Sequence, residues 1–593
     1  MASGRTDDGG RVKTSSGIGF PPLPSVSAKP SRRTLVRQSV RGRPSISSIA
    51  SYASILLLNG HLWPEKPGQA ALAILGDRIL KTGSDREIRG LAGPGTTILD
   101  AGGGLVLPGF NDAHVHFLMG ARNLQNLELS GEATVDGVLR RIAEFARTHP
   151  ERDWLLGRGW FYGVFPSGMP DRALLDAVVP DRPMAIEAYD SHTTWINTPA
   201  LTRLRITNDT PNPPRGAIQR DAAGRATGIL IESAMELVDG ALPPRTIAED
   251  VDSLAAAASL AFRHGLTSVQ EAGAGRKQFA IYQALPMIRI RLGHRMEPGL
   301  AMADWERRLA DDEADALPHR GDSWISAGIV KAFADGVIES GTAVMLAPYE
   351  GMSAGQPGAL GYPQWEPGEL AAAVRVADRR GWQVQIHAIG DGAVRLALDA
   401  FEQAATANGP RDLRHRIEHI ETIDAADIPR FASLGVVASM QPYHADPEPT
   451  QLDSYQSKIG PERASRGWPW NSIRHAGGRL AFGSDWPIVS FDPFLGLNSA
   501  VNRTTRDGRP AGGWLPHERL GLADALAAYT SGSAWAAHED AVKGALVPGM
   551  LADVVVLDRD PFAASPSEVI RASVQTTILG GQVVYDKNSE TSR

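Results

Sequence analysis

The chain of 593 residues contains no cysteine. That absence excludes disulfides, thiolate zinc sites, iron–sulfur clusters and any cysteine nucleophile. A transition metal here must be held by histidine, carboxylate or a modified lysine. Long apolar runs are also missing. Nothing approaches the ~20 residues of a membrane span, so the expectation is a soluble protein with no membrane partner. Positive charge is not in excess either: 60 Lys+Arg against 67 Asp+Glu leave a net charge of -7, which argues against a nucleic-acid partner. The rest is globular in character, with 42% hydrophobic and 21% charged residues, and long enough for one large barrel with attachments.

The first fifty residues differ from the rest of the chain. They carry nine Lys/Arg against Asp7 and Asp8, are crowded with Ser, Pro and Gly, and show no period. Residues 1–52 are therefore expected to form a disordered basic extension. Ser31-Arg32-Arg33-Thr34-Leu35 faintly resembles a twin-arginine signal, and the Arg/Ser-rich composition a transit peptide, but no clean apolar segment comes after the arginine pair. The expected location is cytoplasmic, with targeting by the extension as the alternative.

Strand-like runs begin at Ser54–Gly60 and Ala71–Leu75 and return at Ala552–Asp558, Gln575–Leu579 and Gln582–Tyr585. Between them, short apolar runs alternate with Ala-rich helical stretches such as Val251–His264, Glu369–Arg380 and Asp524–His538. That alternation implies βα units on a parallel sheet, and at this length an α/β fold of the (β/α)₈ barrel type is the economical solution.

In such a barrel the chemistry sits at the C-terminal ends of the strands. Leu105–His116 reads as a strand broken by Pro-Gly and ending in His114 and His116, whose i, i+2 spacing puts both imidazoles on one face. Gly328–Lys331 places a lysine inside a strand; Trp382–His387 and His415–His419 end in histidine. Val436–Met440 leads to Gln441 and His444, and Leu480–Asp485 ends in aspartate. Singly these are weak signals, since a lone His-x-His is more often incidental and a Gly-Ser-Asp more often a turn. Together, four His, one Lys and one Asp at strand ends make a sulfur-free two-ion site whose ligand chemistry suits Zn²⁺.

The order Pro-Gly-Phe-x-Asp-x-His-x-His, strand Lys, His, Glu-His, Gly-Ser-Asp-x-Pro resembles the amidohydrolase superfamily, and within it amidohydrolase family 3, which includes N-substituted formamide deformylases. Asp181-Arg-Pro, Asp190–Leu201 and Gly544–Asp558 extend the likeness over residues 53–590. The departures are the basic extension and the stretch Ala334–Glu339. The resemblance implies a composite β-sandwich from 53–107 and 541–593, a metal-dependent barrel over 108–540, and an insertion at about 122–240. It also implies that His114, His116 and Asp485 bind one ion, that His387 and His419 bind a second, and that Lys331 bridges both as its CO₂ adduct, a carbamate. An ammonium beside two divalent ions is untenable, which makes the carbamate physically sensible. An unmodified Lys331 beside a single ion is the alternative.

On this resemblance, water acidified by the metals attacks a substrate carbonyl, and Asp485 acts as general base and then acid. His192 or His444 donates to the developing oxyanion, or each is an ordinary loop histidine. Glu418 is expected to orient an imidazole; Asp112 and Asp391 either do likewise or form turns. Trp160 and Trp195, with Trp154, Phe161, Tyr162 and Phe165 nearby, either line an apolar pocket or pack the insertion's own core. Arg158 meets either a substrate carboxylate or a surface acid. The leading expectation is hydrolysis of a small linear amide, such as an N-substituted formamide or N-acyl compound. A deaminase or cyclic-amide hydrolase is the enzymatic alternative, and a non-catalytic oligomeric protein the alternative of another class. A homodimer is compatible with the sequence.

Overall fold

The structure is a computed structural model that describes residues 52–64, 68–284, 287–319 and 321–590. The basic extension expected over 1–52 therefore lies, except for Tyr52, outside the described residues. None of the described helices is long and apolar enough to cross a membrane.

Eight parallel strands form the central sheet: β1 (Phe110–Val115), β2 (Leu266–Ala274), β3 (Arg289–Arg295), β4 (Ile325–Phe333), β5 (Gln383–Ala388), β6 (Arg416–His419), β7 (Val437–Met440) and β8 (Arg479–Phe482). Each pairs with the next in chain order. The seam between β8 and β1 is bridged just beyond the strand ends, where the Asp485 amide donates to the His114 carbonyl at 2.7 Å and the His116 amide to the Trp486 carbonyl at 2.8 Å. The ring is a TIM barrel. Strands β1, β5, β6 and β7 are buried along their whole length, because side chains fill the interior while helices cover the outside.

The covering helices follow local rules. Ile247–Arg263 starts on a capping box in which Thr246 and Glu249 satisfy each other's exposed backbone donors, and it stops before Gly265, whose φ is +76°. The stretch read as one helix over Asp524–His538 is instead two short helices, Leu522–Ala527 and Ser533–Ala536, joined by a π-turn at Ala528–Gly532. The Ser533 hydroxyl donates to the Ala528 carbonyl five residues back at 2.7 Å and to the Phe482 carbonyl at 3.1 Å. A side chain on Gly532 would stand 2.6 Å from the Leu480 carbonyl oxygen, so close approach to β8 is what breaks the regular turn.

Two further sheets lie outside the barrel, and the second combines strands from residues 61–108 and 554–586. One orders Arg78–Gly83, Ala71–Leu75, Ile55–Leu58 and Thr97–Asp100; the other orders His61–Leu62, Leu105–Pro108, Val554–Leu557, Val574–Leu579 and Gln582–Asp586. In the second, Leu105–Pro108 runs antiparallel to Val554–Leu557, with Val106 opposite Val556. Ile55, Leu57 and Ile74 of the first share an apolar cluster with Val106, Val554 and Ile578 of the second. Between β1 and β2 the chain builds a separate six-stranded sheet spanning Leu127–Glu232.

Candidate metal centre

The strand ends deliver their polar side chains to one place. His114, in β1, has its Nδ1 2.6 Å from Glu418 Oε2 and 3.3 Å from Gln385 Nε2, which turns its Nε2 inward. That Nε2 lies 3.3 Å from Asp485 Oδ1 and 3.3 Å from Lys331 Nζ. His116 Nε2 lies 3.3 Å from the same Asp485 oxygen. These spacings are close to the ligand–ligand edge of about 3.3–3.4 Å for a tetrahedron with zinc-length arms. His114, His419 and Asp485 offer ligand atoms all within 4.8 Å of one another. The His387 and His419 rings stand 4.5 Å apart. His387 Nε2 is occupied by the Gly336 carbonyl at 3.1 Å, which leaves Nδ1 for an ion.

Orphaned atoms provide the test of whether these residues fit a divalent ion. His419 Nδ1 and Asp485 Oδ1 are buried and make no hydrogen bond. Buried polar atoms rarely lack partners, and several converging on one point call for a cation. The shifts of Asp485, His387 and His419 agree, whereas His114 is raised, with Glu418 and Asp485 outweighing burial and Lys331. Burial alone would raise the Asp485 carboxyl, but the imidazoles of His114, His116 and His419 outweigh it and hold the group well below its ordinary value. Burial, with neighbouring Lys331, pushes His387 and His419 well below theirs, so both imidazoles are neutral and able to ligate. The donor set fits.

Lys331 is fully buried on β4. Burial dominates the environment of its amine and pushes it down to about 8. About a tenth of the amine is therefore neutral at pH 7, the form that reacts with CO₂, far more than for an ordinary lysine.

His116, His192, His387, His419, His444 and Asp485 line a cavity of about 1300 Å³ above this centre. His192 Nδ1 sits 3.1 Å from both oxygens of Glu232, and its ring stands 5.9 Å from that of His387. Burial works against its charged form, but Glu232 prevails and lifts His192 to about 9. His444 bridges two acids: Nδ1 is 3.5 Å from Glu421, and Nε2, which makes no hydrogen bond, is 3.7 Å from Asp485 Oδ2.

Trp160 and Trp195 correct the pocket-lining expectation. Both are fully buried in the insertion's own core with Val138, Ile142 and Ile186, and neither reaches the cavity. Their rings meet edge to face at 6.5 Å, and Trp160 Nε1 donates to the Ile186 carbonyl at 2.9 Å. Phe161, Tyr162 and Tyr189 face the cavity instead. Arg158 is tied to Glu128 at 3.2 Å and to the Tyr189 carbonyl at 3.0 Å. Asp112 accepts from the Ser484 amide and hydroxyl and the His114 amide, so it fastens β1 to the loop after β8. Asp391 accepts from the Leu346 amide at 2.8 Å. In the departing stretch, Asp335 accepts from the amides of Val344, Ile389 and Gly390 and locks that loop onto β5.

Several contributors have no signature in the sequence. Gln385 sits two residues before His387 and passes for a strand residue. Glu271, whose Oε1 is 3.9 Å from His116 Nδ1, lies inside β2 and ends no apolar run. Glu232 lies forty positions from His192, and only its backbone, at φ +51°, marks it as unusual.

Residues 97–585 match the family model described as the amidohydrolase family. The chain belongs to the amidohydrolase family. As a member it is a hydrolase of carbon–nitrogen bonds other than peptide bonds. It is 32% identical over 549 residues to the protein LONG AFTER FAR-RED 3 of Arabidopsis thaliana, covering 90% of this chain and 92% of that protein. It is 28% identical over 530 residues to the N-substituted formamide deformylase of Arthrobacter pascens, covering 87% of this amidohydrolase and 95% of that enzyme. Among solved structures, an uncharacterized metal-dependent hydrolase from Pyrococcus horikoshii OT3 superposes with a TM-score of 0.66 at 25% identity, over 86% of this chain and 99% of that one.

Proposed function

We propose that this amidohydrolase cleaves a small linear amide, such as an N-substituted formamide or N-acyl compound, with divalent metal ions held at the barrel mouth. The observation that carries the reading is the convergence of unpartnered ligand atoms from His419 and Asp485, beside His114, on the floor of one cavity. His114, His116 and Asp485 would hold one ion and His387 and His419 a second, most simply Zn²⁺, with Lys331 between them as a carbamate. Bound there, the metal supplies Lewis acidity toward a carbonyl and a more acidic water.

The chain's own groups do the rest. Glu418 fixes the His114 tautomer and aims its Nε2. Asp485 takes the proton of the attacking water and returns it to the departing nitrogen. His192, held in its charged form by Glu232, presents Nε2–H toward the oxygen on which negative charge develops. His444, between Glu421 and Asp485, is the alternative donor to the same oxygen. We also read the two terminal sheets as a single composite sandwich, supported by their shared apolar cluster.

Elemental analysis of the purified full chain, followed by chelation and metal return, tests the reading. Close to two divalent ions per chain is expected, with amine release from a formamide panel lost on chelation and recovered with Zn²⁺. Protein with no bound metal, and no amide turned over after metal addition, would overturn it.

A further inference from the structure

The same cavity carries charge of one sign. Fourteen Asp and Glu side chains line it against three arginines and no lysine. One arginine, Arg158, is already paired with Glu128. Two divalent ions do not reverse that balance, and a cleft lined by acids raises the local concentration of cations.

One wall is more specific than the sum. Glu421 follows the β6 ligand His419 by two residues, and its side chain is 8% exposed. Its nearest partner is His444 at 3.5 Å, the outer limit of a hydrogen bond. Glu339, from the loop after β4, faces the same space close enough to feel the charge of Glu421. Among the described residues no lysine or arginine pairs with either. Burying carboxylates without a counter-charge is costly.

Aromatic residues complete the wall. Tyr455, Trp468 and Trp514 line the cavity and contact one another at ring distances of 4.9–5.9 Å. The Tyr455 hydroxyl and the Trp468 amide both donate to the Glu421 carbonyl, at 2.7 and 3.2 Å, which fixes the acid against the rings. Trp468 is 5% exposed, so its contribution to the wall is the ring rather than a hydrogen-bonding edge, while the Glu421 carboxylate, buried and held only by His444 at 3.5 Å, is the polar group left for a cation. Carboxylates beside aromatic rings are the surroundings an organic ammonium prefers.

We propose that the wall formed by Glu339, Glu421, Tyr455 and Trp468 binds an ammonium group of the substrate, so that the amides preferred here carry a positive charge a short chain away from the scissile carbonyl. The inference rests on the amide-hydrolase reading of the same cavity. Its reach is set by His444, since a single imidazole separates Glu421 from Asp485.

The test uses the metal-loaded full chain. Calorimetric binding of n-pentylammonium is compared with that of 1-pentanol, which matches it in shape but is neutral. The ammonium is expected to bind on the order of 10–100-fold more tightly, as for a hydrogen bond to a charged group. In the Glu339→Gln, Glu421→Gln double variant the ratio should fall close to one. Equal affinities in the unaltered protein overturn the proposal without recourse to any variant, and a ratio that survives in a folded double variant overturns its assignment to this wall. A parallel comparison of N-formyl-1,5-diaminopentane with N-pentylformamide separates this inference from the function it rests on. Selective ammonium binding with neither amide turned over refutes the amide reading alone. Equal turnover of both, with no ammonium preference, refutes the cation site alone.

Discussion

Glu418 and His114, 304 positions apart in the chain, share a 2.6 Å hydrogen bond between two side chains that are both fully buried. Burial alone would raise the Glu418 carboxyl, but His114 and Arg416 outweigh it, and the group is held below its ordinary value. Burial and Lys331 work against a charged His114, but Glu418 and Asp485 outweigh them and raise it; with an ion bound at Nε2, Glu418 would accept the hydrogen bond from the proton that stays on Nδ1. Replacing the acid while keeping its shape, Glu418→Gln, should weaken metal affinity on the order of 10–100-fold. Competition with a chromogenic chelator measures this directly. Unchanged affinity would show that His114 needs no such partner.

Lys331→Ala should reduce turnover by orders of magnitude while the barrel stays folded. What is lost is an anionic bridge and not bulk, so acetate or propionate should restore part of the activity. Carbon-13 NMR with labelled bicarbonate should show a carbamate signal in the unaltered enzyme. An active, fully metallated enzyme lacking that signal would make Lys331 an ordinary amine.

Trp195→Ala should act on the insertion and not on substrate binding. Removing a fully buried indole costs about 3–5 kcal/mol, and the loss should appear as a lowered Tm. KM should stay within about two-fold, because Trp195 does not reach the cavity. A large change in KM with little change in Tm would return the residue to the pocket.

The His192–Glu232 pair predicts a pH signature. In the fold His192 is raised from 6.5 to about 9, with Glu232 overcoming the effect of burial. A raised histidine stabilises the folded state fully below its unfolded value and loses that contribution as pH rises through about 9. Glu232→Gln should therefore cost about 1–3 kcal/mol at pH values below about 6.5, and the gap should close above pH 9. Denaturant unfolding at both ends of that window is the measurement. A gap that does not change with pH would mean the pair is not charged.

The barrel and the polar residues at its mouth were legible in the sequence for a physical reason. A strand that ends at the barrel mouth must change from apolar to polar where it meets the cavity, so His114, His387, His419 and Asp485 stand out as the residues that interrupt or end apolar runs. Two imidazoles at i and i+2 share a face whatever the strand's neighbours. Those are local rules, and the absence of cysteine narrowed the ligand chemistry further. Partnership and direction were another matter. In the insertion, Leu155–Trp160 and Thr193–Ile196 are buried almost throughout, so no alternation of polar and apolar residues reports which face looks at the cavity. Packing against the helix Val135–Thr148 turned Trp160 and Trp195 away from it. The partners Glu418, Gln385 and Glu421 come from different barrel strands and loops, and the barrel sets their distances, while strand pairing in the insertion sheet brings Glu232 to His192. Sequence determined which side chains reach the mouth; the tertiary fold decided what each one touches, because a hydrogen bond between residues hundreds of positions apart leaves no periodicity to read.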